Sequence, residues 1–132
     1  MSILIVDDSM VSQTFMSDLL IEVGYTDQIL CNSVEDAYQA IGFNDPGKTE
    51  TDLDLVLLDI NLPGMDGFEI LKLLKKCKTC CNTPVIAISA NAMTKNIEKG
   101  LAAGFDDYIT KPIDVVAFLH AVDTVLLTLK KP

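Results

Sequence analysis

Three short runs in this chain, Ile3–Val6, Leu55–Leu58 and Pro84–Ile88, are apolar from end to end, with no polar residue at alternate positions. A strand with one wet face alternates, so an unbroken apolar strand is covered on both faces, as in a parallel sheet flanked by helices. Two further strand candidates, Gln28–Cys31 and Asp107–Ile109, complete a set of five.

Helical patterns fall between the strands. Val11, Phe15, Leu19 and Val23 step by four behind a cap at Ser9, and this stripe is the expected buried face of the first helix. Ser33 and Asp36 resemble a capping box opening a second helix over Val34–Ile41, and Asp66 can cap a third over Gly67–Lys76. A fourth, Lys95 to Ala103, is weakened by Gly100. The last, Asp114 to about Leu129, carries the clearest stripe: Val115, Phe118, Leu119, Val122, Val125, Leu126 and Leu129. A strand–helix unit repeated five times, with right-handed crossovers, makes a doubly wound α/β sheet with helices on both sides. The polar segment Phe43–Asp52 reads as a lengthened loop before the third strand, so residues 1–132 are expected to form a single domain.

Charge narrows the partners. Nineteen acidic residues against ten basic ones give a net charge of −9, which repels a phosphate backbone; no nucleic-acid partner is expected. No apolar run approaches the ~20 residues needed to cross a bilayer, so a soluble, cytoplasmic protein without membrane contact is expected. Cys77, Cys80 and Cys81 crowd into CKTCC, with Cys31 and His120 far away in sequence. That spacing lacks the four-ligand pattern of a zinc site, and the cysteines read as loop thiols.

In open parallel sheets, sites form beyond the carboxyl ends of the strands. Those ends carry Asp7 and Asp8 after the first strand, Asp59 after the third, Ser89 after the fourth, then Tyr108 and Lys111 on the fifth. Three carboxylates brought to one edge repel one another unless a cation compensates. Mg²⁺ is the expected occupant, because it prefers oxygen ligands and binds through one or two carboxylates, water and phosphate oxygens. A carboxylate beside it can act as nucleophile toward phosphorus.

The segments ILIVDDS, LVLLDINLPGMDG, VIAISANAM and GFDDYITKPID together resemble the receiver domain of two-component response regulators, over essentially the whole chain. The resemblance implies a flavodoxin-like (βα)5 sheet of strand order 2-1-3-4-5. It implies Asp59 as phosphoryl acceptor, charged by a phosphohistidine on a histidine kinase or histidine phosphotransfer protein. Asp7, Asp8, Asp59 and the backbone carbonyl of Asn61 would hold Mg²⁺; Lys111 would pair with the phosphoryl oxygens and Ser89 would hydrogen-bond them. Tyr108 would turn inward, changing the face of the fourth helix, fifth strand and fifth helix that a downstream protein target reads. Asn61 and Asn91 occupy positions that influence phosphoryl lifetime, and Lys111–Pro112 would be a cis bond.

On this reading the chain is a signalling switch and not an enzyme in the ordinary sense, although it takes part in its own phosphoryl transfer and dephosphorylation. ISANAM and GFDDYITKPI are similar to receivers of hybrid histidine kinases. The alternative is a phosphotransferase of the haloacid-dehalogenase kind, whose first strand should end in D-x-D; VDDS lacks that spacing.

Overall fold

The computed structural model describes residues 2–33, 35–36, 54–60, 71–72, 83–89, 102 and 104–130. The Phe43–Asp52 loop, CKTCC, Asn61, Asp66 and Asn91 lie outside these residues, as do most positions of the second, third and fourth predicted helices. Glu35–Asp36, Leu71–Lys72 and Ala102 are helical, and each falls inside one of those three predicted spans. Asp36 N–H donates to Ser33 Oγ at 3.1 Å, the bond expected of Ser33 as a cap.

Five strands, β1 (Ser2–Val6), β2 (Asp27–Cys31), β3 (Leu55–Asp59), β4 (Val85–Ser89) and β5 (Asp107–Thr110), form one parallel sheet in the order 2-1-3-4-5. All five residues of β3 and of β4 are buried, the two-sided cover that their unbroken apolar sequence demands. β2 lies at an edge and is mostly half-buried or exposed.

The first helix, α1 (Met10–Glu22), starts at Ser9, whose Oγ accepts the Ser12 N–H at 3.3 Å. It ends where Gly24 takes φ +98°, with Gly24 N–H bonded to the Ile21 carbonyl and Tyr25 N–H to that of Leu20. This pair of bonds needs a left-handed residue, which glycine supplies without a Cβ penalty. The last helix, Val115–Lys130, is capped by Asp114, whose Oδ1 accepts from Val116 and Ala117 N–H.

The buried face of α1 differs from the stripe expected of it. Val11 is 82% exposed, Phe15 41% and Val23 47%; Leu19 is only partly buried. The residues turned inward are Gln13, Met16, Ser17 and Leu20. Two of these are polar and are affordable inside because β2 supplies partners: Gln13 Nε2 donates to the Cys31 carbonyl at 2.9 Å, and Ser17 Oγ donates to Gln28 Oε1. Gln28 Nε2 in turn donates to the Ser17 and Tyr25 carbonyls. On the last helix the stripe holds from Phe118 to Leu126, with Phe118 and Val122 fully buried, but Val115 is 40% exposed. The core cluster packs Met16, Leu20, Phe118, Val122 and Leu126 against Ile3, Ile5, Leu55, Leu57, Ile86 and Ile88.

Candidate functional site

Parallel register brings the strand ends together. Val6 pairs with both Cys31 and Leu58, and Ser89 pairs with Thr110, so Asp7, Asp59, Ser89 and Lys111 emerge along one rim. Main-chain bonds carry the ladder one step past the strands. Asp7 N–H reaches the Cys31 carbonyl (3.0 Å), Ile60 N–H that of Ile88 (3.0 Å), and Lys111 N–H that of Ser89 (2.7 Å).

At this rim one carboxylate oxygen from each of Asp7, Asp8 and Asp59 lies within 4.8 Å of the other two. Asp7 is fully buried and Asp59 is 3% exposed, whereas Asp8 faces solvent. Lys111 Nζ stands 3.1 Å from Asp7 Oδ2 and donates to Asp59 Oδ2 at 3.3 Å. Burial pulls the Lys111 pKa down, but contact with Asp7 and the charges of Asp59 and Asp7 outweigh it, and the net shift is upward.

Among the described residues, one ammonium against three carboxylates leaves the corner negative. Asp7 Oδ1 accepts the Ser9 N–H at 2.8 Å, while the buried Oδ2, though ion-paired, accepts no hydrogen bond from any described residue. A buried oxygen with spare lone pairs, two more carboxylates beside it and one side open through Asp8 suit a hard, oxygen-seeking dication.

The other residues singled out by sequence lie on β4, on β5 and on the last helix. Ser89 is fully buried at the end of β4. Tyr108 is half-buried on β5 and lines a cleft of about 420 Å³ with Asp107, Pro112, Asp114 and His120. His120 is exposed, and the Lys111–Pro112 bond is cis, as expected. Asn61 lies outside the described residues. Sequence reasoning missed Gln13 and Cys31, which hold the Asp7 end of β1; a glutamine in a helix gives no sign of which face it occupies.

Fold and rim together define a doubly wound α/β domain with an acidic corner against which Lys111 stands. The family profile of the response regulator receiver domain matches residues 3–123, and the chain belongs to that family. It is 33% identical over 122 residues to the transcriptional regulatory protein HprR of Escherichia coli K12, covering 92% of this chain and 50% of that protein. It is 36% identical over 120 residues to the cell cycle response regulator CtrA of Brucella ovis, covering 81% of this chain and 50% of the relative. The chain thus spans about half the length of these relatives. The solved receiver domain of Francisella response regulator 1452 superimposes with a TM-score of 0.81 at 29% identity, over 98% of both chains. No helix among the described residues is long and apolar enough to cross a membrane. Nothing in the fold or the relatives supports the haloacid-dehalogenase alternative.

Proposed function

We propose that residues 1–132 form a single cytoplasmic receiver domain that accepts a phosphoryl group on Asp59 in a two-component phosphorelay. The observation that carries this reading is the meeting of Asp7, Asp8 and Asp59 within 4.8 Å, with Lys111 against two of them. Asp7, Asp8, Asp59 and the Asn61 carbonyl would hold Mg²⁺. Bound there, the ion would neutralise charge on the oxygens of the group in transfer.

The chain's own residues then have distinct tasks. A carboxylate oxygen of Asp59 attacks phosphorus; the new O–P bond forms as the N–P bond of the donor phosphohistidine breaks, and the imidazole leaves. Lys111 exchanges its contact with Asp59 for one with the phosphoryl oxygens. The Ser89 hydroxyl donates to the same group, and Tyr108 turns inward behind it. Hydrolysis of the Asp59 acyl phosphate, helped by the same groups, resets the switch.

The donor would be a histidine kinase or a histidine phosphotransfer protein. Beside Lys111, the exposed Val11 and Phe15 line a cleft of about 240 Å³ with Ser12, Pro112 and Ile113. This apolar rim adjoins the acceptor corner and suits the docking face of that donor. Phosphorylation would shift a pre-existing equilibrium between two conformations, read by a downstream protein at β5 and the helices flanking it. Intact-mass analysis after incubation with acetyl phosphate and Mg²⁺ tests the proposal. An adduct on the wild type and none on Asp59→Asn is expected; equal adducts on both would place the acceptor elsewhere.

A further inference from the structure

The loop carrying Asp7 and Asp8 is closed into a ring of hydrogen bonds. Asp7 N–H donates to the Cys31 carbonyl, and Gln13 Nε2 donates to the same oxygen. Gln13 N–H donates to the Ser9 carbonyl at 3.0 Å, and Ser9 N–H returns to Asp7 Oδ1 at 2.8 Å. Within this ring the Gln13 amide is the one side chain that ties the start of α1 to the rim of β2. Together with the Asp7 N–H it occupies both lone pairs of the Cys31 carbonyl, which fixes the peptide plane from which Asp7 hangs.

A bland role, attaching α1 to β2, is already filled. Met16 and Leu20 pack into the core, and Ser17 with Gln28 bridges helix to strand. Leucine at position 13 would bury apolar surface without the need to satisfy an amide, and Gln13 is 3% exposed. What the amide adds is control of the Asp7 peptide.

We propose that Gln13 is a positioning residue for the acidic corner: by holding the Cys31 carbonyl that receives the Asp7 N–H, it sets the spacing of Asp7 and Asp8 for the dication. The inference rests on the metal-binding reading above. Partners one step behind ligating groups characteristically change metal affinity by about 10- to 100-fold when removed.

The test compares Gln13→Met, which keeps length but loses the donor, with Ser17→Ala, which removes the other buried polar link of α1. Mg²⁺ binding is measured by calorimetry, and exchange of the Asp7 amide by NMR on the metal-free protein. Gln13→Met is expected to raise the Mg²⁺ dissociation constant about tenfold and to accelerate Asp7 amide exchange, whereas Ser17→Ala lowers the melting temperature without weakening Mg²⁺ beyond about twofold. If Gln13→Met does not fold, Gln13→Leu is read the same way, since it too lacks the donor and adds no charge. Unchanged Mg²⁺ affinity in the position-13 variant, or weakening that merely tracks the loss of melting temperature in both variants, overturns the inference alone. A wild type that binds no Mg²⁺ overturns the metal-binding reading and this inference with it.

Discussion

Lys111 Nζ lies 3.1 Å from the buried Oδ2 of Asp7, although 104 positions separate the two residues along the chain. The contact offsets one of three carboxylates and leaves two negative charges at the corner among the described residues. Lys111→Met removes that compensation. The variant is expected to lose about 1–3 kcal/mol of stability in metal-free buffer, below the 3–5 of a fully buried pair because the Lys111 side chain is 22% exposed. Mg²⁺ should return part of the loss, as read by urea denaturation with and without the ion.

Asp8→Asn should act in the opposite sense. It relieves repulsion at the solvent side of the cluster, so the metal-free melting temperature rises by a few degrees, while the stabilisation that Mg²⁺ gives the wild type shrinks or vanishes. Paired thermal melts check both halves. A variant still stabilised by Mg²⁺ as strongly as the wild type would remove Asp8 from the ligand set.

Stability should fall on the alkaline side. Burial, with a smaller contribution from Asp36, pushes the Cys31 thiol up to about 11, so the folded state resists forming the thiolate. A group whose folded pKa is raised lends stability that is complete below its unfolded pKa and is lost as pH climbs to the folded value, here from about 8.5 to about 11. Lys111, also raised, acts in the same direction at higher pH. Cys31→Ala should flatten the slope of stability between pH 9 and 11, measured by denaturant melts at stepped pH. In the native wild type, peptide mapping should find Cys31 unalkylated at pH 7.5.

Burial on α1 can be tested directly. Met16→Ala should cost about 2–5 kcal/mol because it opens the core, whereas Val11→Ser should stay within about 0.5 kcal/mol. The stripe read from sequence predicts the reverse weighting at Val11, so urea midpoints of these two variants decide between the faces.

The apolar rim near Lys111 makes a kinetic prediction. Val11→Asp or Phe15→Asp should slow phosphoryl transfer from a histidine-phosphorylated donor at least about tenfold, a loss of the size expected from one good interface contact. Uptake from acetyl phosphate should be unchanged, because that donor needs no docking face. Equal slowing with both donors would show damage to the acceptor corner instead.

How far the sequence reached depends on where each signal lies. β3 and β4 were legible because burial on both faces leaves LVLL and VIAI with no alternation. Ser9 and Ser33 were legible as caps because capping is a local bond. The face of α1 was not, because Gln13 and Ser17 are buried through bonds to β2, and a spacing of four among Val11, Phe15, Leu19 and Val23 describes a helix without saying which side meets the sheet. Val115 misled for a related reason: it lies one turn before the helix reaches the core.

By itself the sequence determined the alternation of strand and helix, the carboxylates at the strand ends and the negative charge of the whole, since these follow from local propensity and composition. Tertiary structure alone decided that Lys111 meets Asp7 and Asp59, that one oxygen of Asp7 accepts no hydrogen bond from the described residues, and that Gln13 turns inward to the Cys31 carbonyl. These depend on parallel register and helix rotation, which are set by packing across the sheet between residues far apart in the chain.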